Sequence, residues 1–160
     1  MLRELRHHNF AVLSTIDEDG NPDSAGVSYG VSRFGSDLAL YVMTSRHLRK
    51  VRNIQRNSRV ALVVPISQRL LWFLPPPTIQ LHGRAEILDW RDEAGVAAFQ
   101  RFWMGRRILD AYAASRERGE TRVCFLKITL DPELRTYMVG TTIWDLARHI
   151  EAGGATVHVG

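Results

Sequence analysis

The sequence predicts a mainly β protein with helices, an α+β fold on an antiparallel sheet. Three observations carry this. Apolar and polar residues alternate well in 78–88 (TIQLHGRAEIL) and weakly in 24–33, the period of two that a half-buried strand imposes, and 10–16 (FAVLSTI) is a further short strand-like run. Turn-forming clusters, DEDGNP at 17–22 and FGSD at 34–37, separate the first three runs closely enough for a meander. Helical spacing is confined to a few intervals between runs, chiefly 46–57 and 89–118.

Residues 2–8 suit one or two turns of helix, charged on most sides. Strands follow at 10–16, 24–33 and 38–43. Gly26 and Gly30 lie within the second, where glycine marks a bulge, a bend or a ligand pressed against the backbone. Thr44 and Ser45 supply hydroxyls suited to an N-cap, and the period then changes to helical from Arg46. Leu48, Val51 and Ile54 fall on one face; Arg46, Arg49, Lys50 and Asn53 share another. Asn57 and Ser58 end the helix, and 60–65 is a fourth strand.

Residues 66–77 (ISQRLLWFLPPP) cannot be a regular central strand, because three prolines follow an apolar cluster. The segment is either a loop over the core or a patch covered by a partner subunit. Strand 78–88 carries His82 at a structural or solvent-facing position, and Gly83 allows a bend. Helix follows at 89–118, with Asp89 or Asp92 as cap, an apolar set running from Phe99 to Tyr112 and Gly105 as a dividing point. Strands at 122–130 and 134–139, a short helix at 142–152 and an edge strand at 155–159 complete the chain.

The chain has 160 residues, enough for one domain with a real core. Its net charge of +4 favours anionic partners. Much of the excess lies in 46–59. Cys124 is the one cysteine, which excludes an internal disulfide; set in the run VCFL, it reads as a buried thiol. No apolar run approaches the length of a membrane span. The N-terminus lacks a secretory core, so the expected compartment is the cytoplasm. P-loop, dinucleotide and nucleophile-elbow motifs are absent. Neither HExxH nor a cysteine pair supports a zinc site. Any hard chemistry then belongs to a cofactor.

The stretch 41–64 (YVMTSRHLRKVRNIQRNSRVALVV) is the centre of the reading. A helix N-terminus exposes unpaired N–H groups and a partial positive charge. Flanked by Arg46, Arg49 and Lys50, it suits a phosphate. The same pattern fits a solvated basic face over a packed core.

With DEDGNP between the first two strands, then 41–64, then IQLHGRAEIL, residues 8–90 resemble the pyridoxamine 5′-phosphate oxidase-like family. The resemblance implies a six- to seven-stranded FMN-binding split barrel. It implies a flavin phosphate held by Thr44, Ser45, Arg46, Arg49 and Lys50. The flavin ring and ribityl chain would run along Val27, Ser28 and Tyr29, largely on backbone groups, with Thr78 or Gln80 reaching in. Members are homodimers with two flavin sites at the interface. Some bind F420 or haem instead of FMN. Members that oxidise pyridoxamine phosphate carry basic residues about where Ala25 and Gly30 stand here.

Three function classes follow. The first is a flavin-dependent oxidoreductase acting on a small molecule. The second is a non-catalytic flavin, F420 or haem binding or storage protein. The third, nucleic-acid binding through the basic helix, lacks interleaved exposed aromatics. Neither nucleic acid nor membrane is therefore an expected partner.

Overall fold

A computed structural model describes residues 2–34, 37–66, 77–117, 122–137 and 154–158. The order is α1 (Leu2–His7), β1 (Phe10–Ile16), β2 (Pro22–Phe34), β3 (Asp37–Ser45), α2 (Arg49–Arg56), β4 (Arg59–Pro65) and β5 (Thr78–Asp89). There follow α3 (Glu93–Gln100), α4 (Trp103–Glu117), β6 (Val123–Leu130), β7 (Glu133–Tyr137) and β8 (Gly154–His158). Residues 67–76 of the predicted 66–77 segment and the predicted helix at 142–152 lie outside the described residues.

All ladders are antiparallel. Strand order is β4-β1-β2-β3-β6-β5-β7-β8, and β4 also pairs with β5, which closes six strands into a barrel. Strands β7 and β8 extend from the edge of β5 beyond the closure. This is the mainly β split barrel with helices that the sequence predicts.

Alternation sends one set of side chains inward. Leu13, Tyr29, Leu40, Leu62, Ile79, Leu81, Leu126 and Ile128 are all almost wholly buried in the barrel core. The β1–β2 turn reverses at Gly20, whose φ of 84° lies in the left-handed region that glycine takes without cost. Asp17 organises that turn. Its Oδ1 accepts from the backbone N–H of Asn21 at 2.8 Å and of Asp19 at 3.0 Å. These bonds, the Asn21 one foremost, hold its carboxyl below the usual range.

A second apolar cluster lies outside the barrel wall, where Tyr41 and Phe125 meet Ala98 and Phe99 of α3. Asp92 caps α3, its Oδ1 accepting from Gly95 N–H at 2.8 Å. The helical interval divides as expected, but the break falls at 101–102, two residues before α4 reaches Gly105. Cys124 is fully buried, and burial pushes its thiol pKa up. No helix among the described residues is long and apolar enough to cross a membrane.

Candidate functional site

The wall between β2 and β3 is open at one end. Their pairing stops at Tyr29↔Val42. Below it, β2 from Pro22 to Ser28 pairs only with β1, and β3 from Met43 to Ser45 pairs only with β6. The two strands splay, and α2 begins just past the end of β3.

The split has an internal logic. Tyr29 N–H donates to Asn9 O at 3.0 Å, and Asn9 Nδ2 donates to Tyr29 O at 3.2 Å. Tyr29 therefore turns both backbone groups toward β1. Backbone groups alternate sides along an antiparallel strand. Those of Ser24 and Gly26 consequently face the split with no strand opposite them, while those of Ser28 lie at its closed end, opposite Met43. On the other lip, Arg46 N–H donates to Arg122 O at 2.7 Å. The same alternation turns the N–H group of Ser45 into the split and that of Met43 toward Ser28.

This sorts the predicted residues. Ser28 faces the closed end of the split, whereas Val27 and Tyr29 do not. Their side chains are buried in the barrel core, the Tyr29 hydroxyl donates to Leu5 O at 3.0 Å, and their backbone groups serve β1. Thr44 is also withdrawn. It is 4% exposed and pairs with Cys124, while the half-buried Ser45 lies at the mouth.

The helix starts later than the hydroxyls suggest. β3 keeps its ladder to β6 through Ser45, so Thr44 and Ser45 are strand residues. Residues 46–48 form a turn, and α2 begins at Arg49 with Leu48 as N-cap and no side-chain cap bond. Among the described residues, the N–H groups of Arg49 and Lys50 thus have no side-chain cap at the positive end of the helix.

Around them, Arg46 is exposed and Lys50 half-buried. Arg49 is turned to the start of β2, its Nε 3.7 Å from Asp23 Oδ2. Asn53 does not share the basic face, because it is 4% exposed. Its Nδ2 donates to Thr15 Oγ1 at 3.0 Å and to Asp23 Oδ2 at 3.2 Å. Arg56 pairs with Glu18 at 2.7 Å. Arg49, Arg52, Asn53 and Arg56 of α2 and the β1–β2 turn enclose a polar cleft of about 370 Å³.

Sequence reasoning passed over Asp23 and Asn9 and set Asn53 on the basic face instead of in the buried hydrogen bonds it makes. Asn53 had a detectable signal, since it lies two residues past the core residue Val51 and one before Ile54.

The space a side chain would need at Gly26 and Gly30 is taken by protein atoms. A Cβ on Gly30 would lie 2.8 Å from the Ala98 backbone, and one on Gly26 would lie 3.0 Å from the Phe10 ring. Gly30 is there so that α3 can approach, and the helix leaves no room for a basic side chain.

Gln80 stands apart from the split within one chain. The register row Gly26–Val12–Val63–Gln80 crosses three strand spacings, about 14 Å on the outer wall. Thr78 lies on the same strand, two residues earlier. That wall exposes Phe10 by 50% and carries half-buried Val12, Ala61 and Val63. His82 is exposed beside them. Among the described residues, no group of three His, Cys, Asp or Glu could hold a metal ion.

The family model for pyridoxamine 5′-phosphate oxidase matches residues 1–131. The chain belongs to the pyridoxamine 5′-phosphate oxidase family. No curated protein sequence matches it.

Similar solved structures share the family fold at low identity. A Clostridium acetobutylicum protein related to general stress protein 26 of B. subtilis, described as of the pyridoxinephosphate oxidase family, is 16% identical. The match covers 99% of this chain and 91% of that one, at a TM-score of 0.62. HutZ, the haem storage protein from Vibrio cholerae, is 15% identical over 83% of this chain and 89% of its own, at 0.60. A haem binding protein from Mycobacterium smegmatis is 20% identical over 98% of this chain and 55% of its own, at 0.63.

Proposed function

We propose that the chain binds FMN in the β2–β3 split and acts as a flavin-dependent oxidoreductase on a small molecule. The observation that carries this is the meeting of two unsatisfied surfaces at one corner. The split offers backbone groups of Ser24, Gly26 and Ser45, with Ser28 and Met43 at its closed end. The uncapped start of α2 offers two N–H groups with Arg46, Arg49 and Lys50 around it.

The residues fit the group. A flavin edge carries both donors and acceptors, as does a strand lip with no partner. A phosphate dianion matches an uncapped, basic helix start. When bound, FMN supplies the hydride and electron chemistry. The chain's own residues hold and orient it, and no side-chain acid or base is assigned. Ser28 and Ser45 take the ring and ribityl side, and Lys50, Arg46 and Arg49 the phosphate, with Arg49 leaving Asp23 to do so.

A homodimer belongs to this reading. Thr78 and Gln80 are too far from their own split, so they serve the partner's flavin across the apolar outer wall around Phe10. Oxidation of pyridoxamine phosphate does not, because α3 covers Gly30, where a basic side chain would be needed. The compartment in this reading is the cytoplasm.

A second reading, haem or F420 binding or storage without turnover, is favoured by the fold shared with HutZ and the M. smegmatis protein. The exposed His47, in the turn before α2, is an imidazole available to haem iron. The near-ultraviolet and visible spectrum of protein loaded with FMN, then with haem, tests both. The oxidoreductase reading expects flavin bands that bleach anaerobically with NAD(P)H. A Soret band with no retained flavin would favour the haem reading.

A further inference from the structure

Helix α4 has fifteen residues but buries only Gly105. Its inner stripe, Arg106, Leu109, Asp110, Ala113 and Arg116, recurs at helical spacing and lines a cavity of about 730 Å³. The opposite wall includes Met43, Val123 and Trp90. This volume is within the range of small-molecule sites.

The lining is two-sided in chemistry. Leu109, Met43 and Val123 are apolar. Trp90 supplies a flat ring, with the Arg116 guanidinium 4.1 Å and the Arg91 guanidinium 5.2 Å from its centroid. Arg106 and Arg116 have no carboxylate within ion-pair distance among the described residues, and neither does Asp110 its cation. Two unmatched cations against one unmatched anion leave the wall net positive.

Position gives the cavity a meaning. Met43 lies at the last rung before the split opens, and its side chain lines the cavity. We propose that this cavity binds a flat aromatic carboxylate, and that it seats the small-molecule reactant beside the flavin; the second half rests on the flavin reading, the first does not. The carboxylate meets Arg106 and Arg116, and the ring lies among Trp90, Leu109 and Met43.

Isothermal titration of flavin-free protein with 2-naphthoate and with neutral 2-naphthamide tests the first half. Naphthoate is expected to bind at least about tenfold more tightly, the effect of one charge-assisted contact. Arg106→Gln and Arg116→Gln should each shrink that preference toward unity. Ala113→Trp, at a cavity-lining helix position that is not packed in the core, should abolish binding of both, with the fold checked by circular dichroism.

Equal affinity for the two probes, indifference to Ala113→Trp, or no binding by folded protein would overturn the site. So would loss of self-association in Ala113→Trp without loss of naphthoate, because a second copy would then fill the cavity. For the second half, saturating naphthoate should shift the spectrum of FMN-loaded protein. Naphthoate binding with an unmoved flavin spectrum would overturn the reactant role. A protein that takes naphthoate but no FMN would fail the flavin reading alone.

Discussion

Replacing Arg49 and Lys50 together by alanine weakens FMN binding by about 2–4 kcal/mol, roughly 30- to 1,000-fold. Each charge-assisted contact to a phosphate is worth about 1.5–3 kcal/mol. The Arg49 side chain is 66% exposed, so its share falls at the low end. Arg49 must also leave Asp23, which offsets part of its gain. Riboflavin, which lacks the phosphate, should bind the double variant as it binds the parent. Flavin fluorescence quenching on titration reads both affinities. Parallel weakening of FMN and riboflavin would mean that the helix start does not hold the phosphate.

The second large effect is on stability. Phe125→Ala should cost about 3–5 kcal/mol in denaturant unfolding. The ring is fully buried on the outer side of the wall. It stacks edge-on with Tyr41 at 6.3 Å and Phe99 at 5.5 Å. It also sits against Gly95, where an added Cβ would lie 2.9 Å from it. This ring pins α3 to the barrel, so α3 and α4 should loosen with it. Phe10→Ala is the control: that ring is half exposed on the opposite wall, and the cost in isolated chains should be under about 1 kcal/mol. A Phe125→Ala cost no larger than the Phe10→Ala cost would show that the outer cluster is not the anchor.

Much of the barrel was legible because strands announce themselves by alternation. Ile79, Leu81 and Ala85 point inward and Gln80, His82 and Arg84 outward, as the period requires. The turn at 17–22 was equally plain, since Asp17, Gly20 and Pro22 each have a local reason to be there. What periodicity cannot show is where a ladder stops. The β2–β3 pairing ends at Tyr29↔Val42 although both strands continue, and that ending creates the split.

The same blindness misplaced the helix start. Thr44 and Ser45 have N-cap chemistry, but both are held as strand residues in the β3–β6 ladder, opposite Cys124 and Val123, 80 and 78 residues downstream. Val27 and Tyr29 were assigned to the ligand with Ser28 because a motif names a stretch, whereas a pleated strand turns alternate residues away. The apolar set running from Phe99 to Tyr112 read as core. Phe99 is buried, and Phe102, Ile108 and Leu109 pack against its cluster, yet Trp103 is 63% exposed, and α4 also lines a cavity. Composition alone cannot distinguish a helix packed on a wall from one standing off it.

The most direct measurement is the ratio of FMN to riboflavin affinity in the unaltered protein, by equilibrium titration at moderate salt. Binding through the split and the α2 start predicts that FMN binds more tightly by at least about a hundredfold, the effect of two charge-assisted phosphate contacts. Equal affinities, or binding of neither flavin by folded protein, would contradict it.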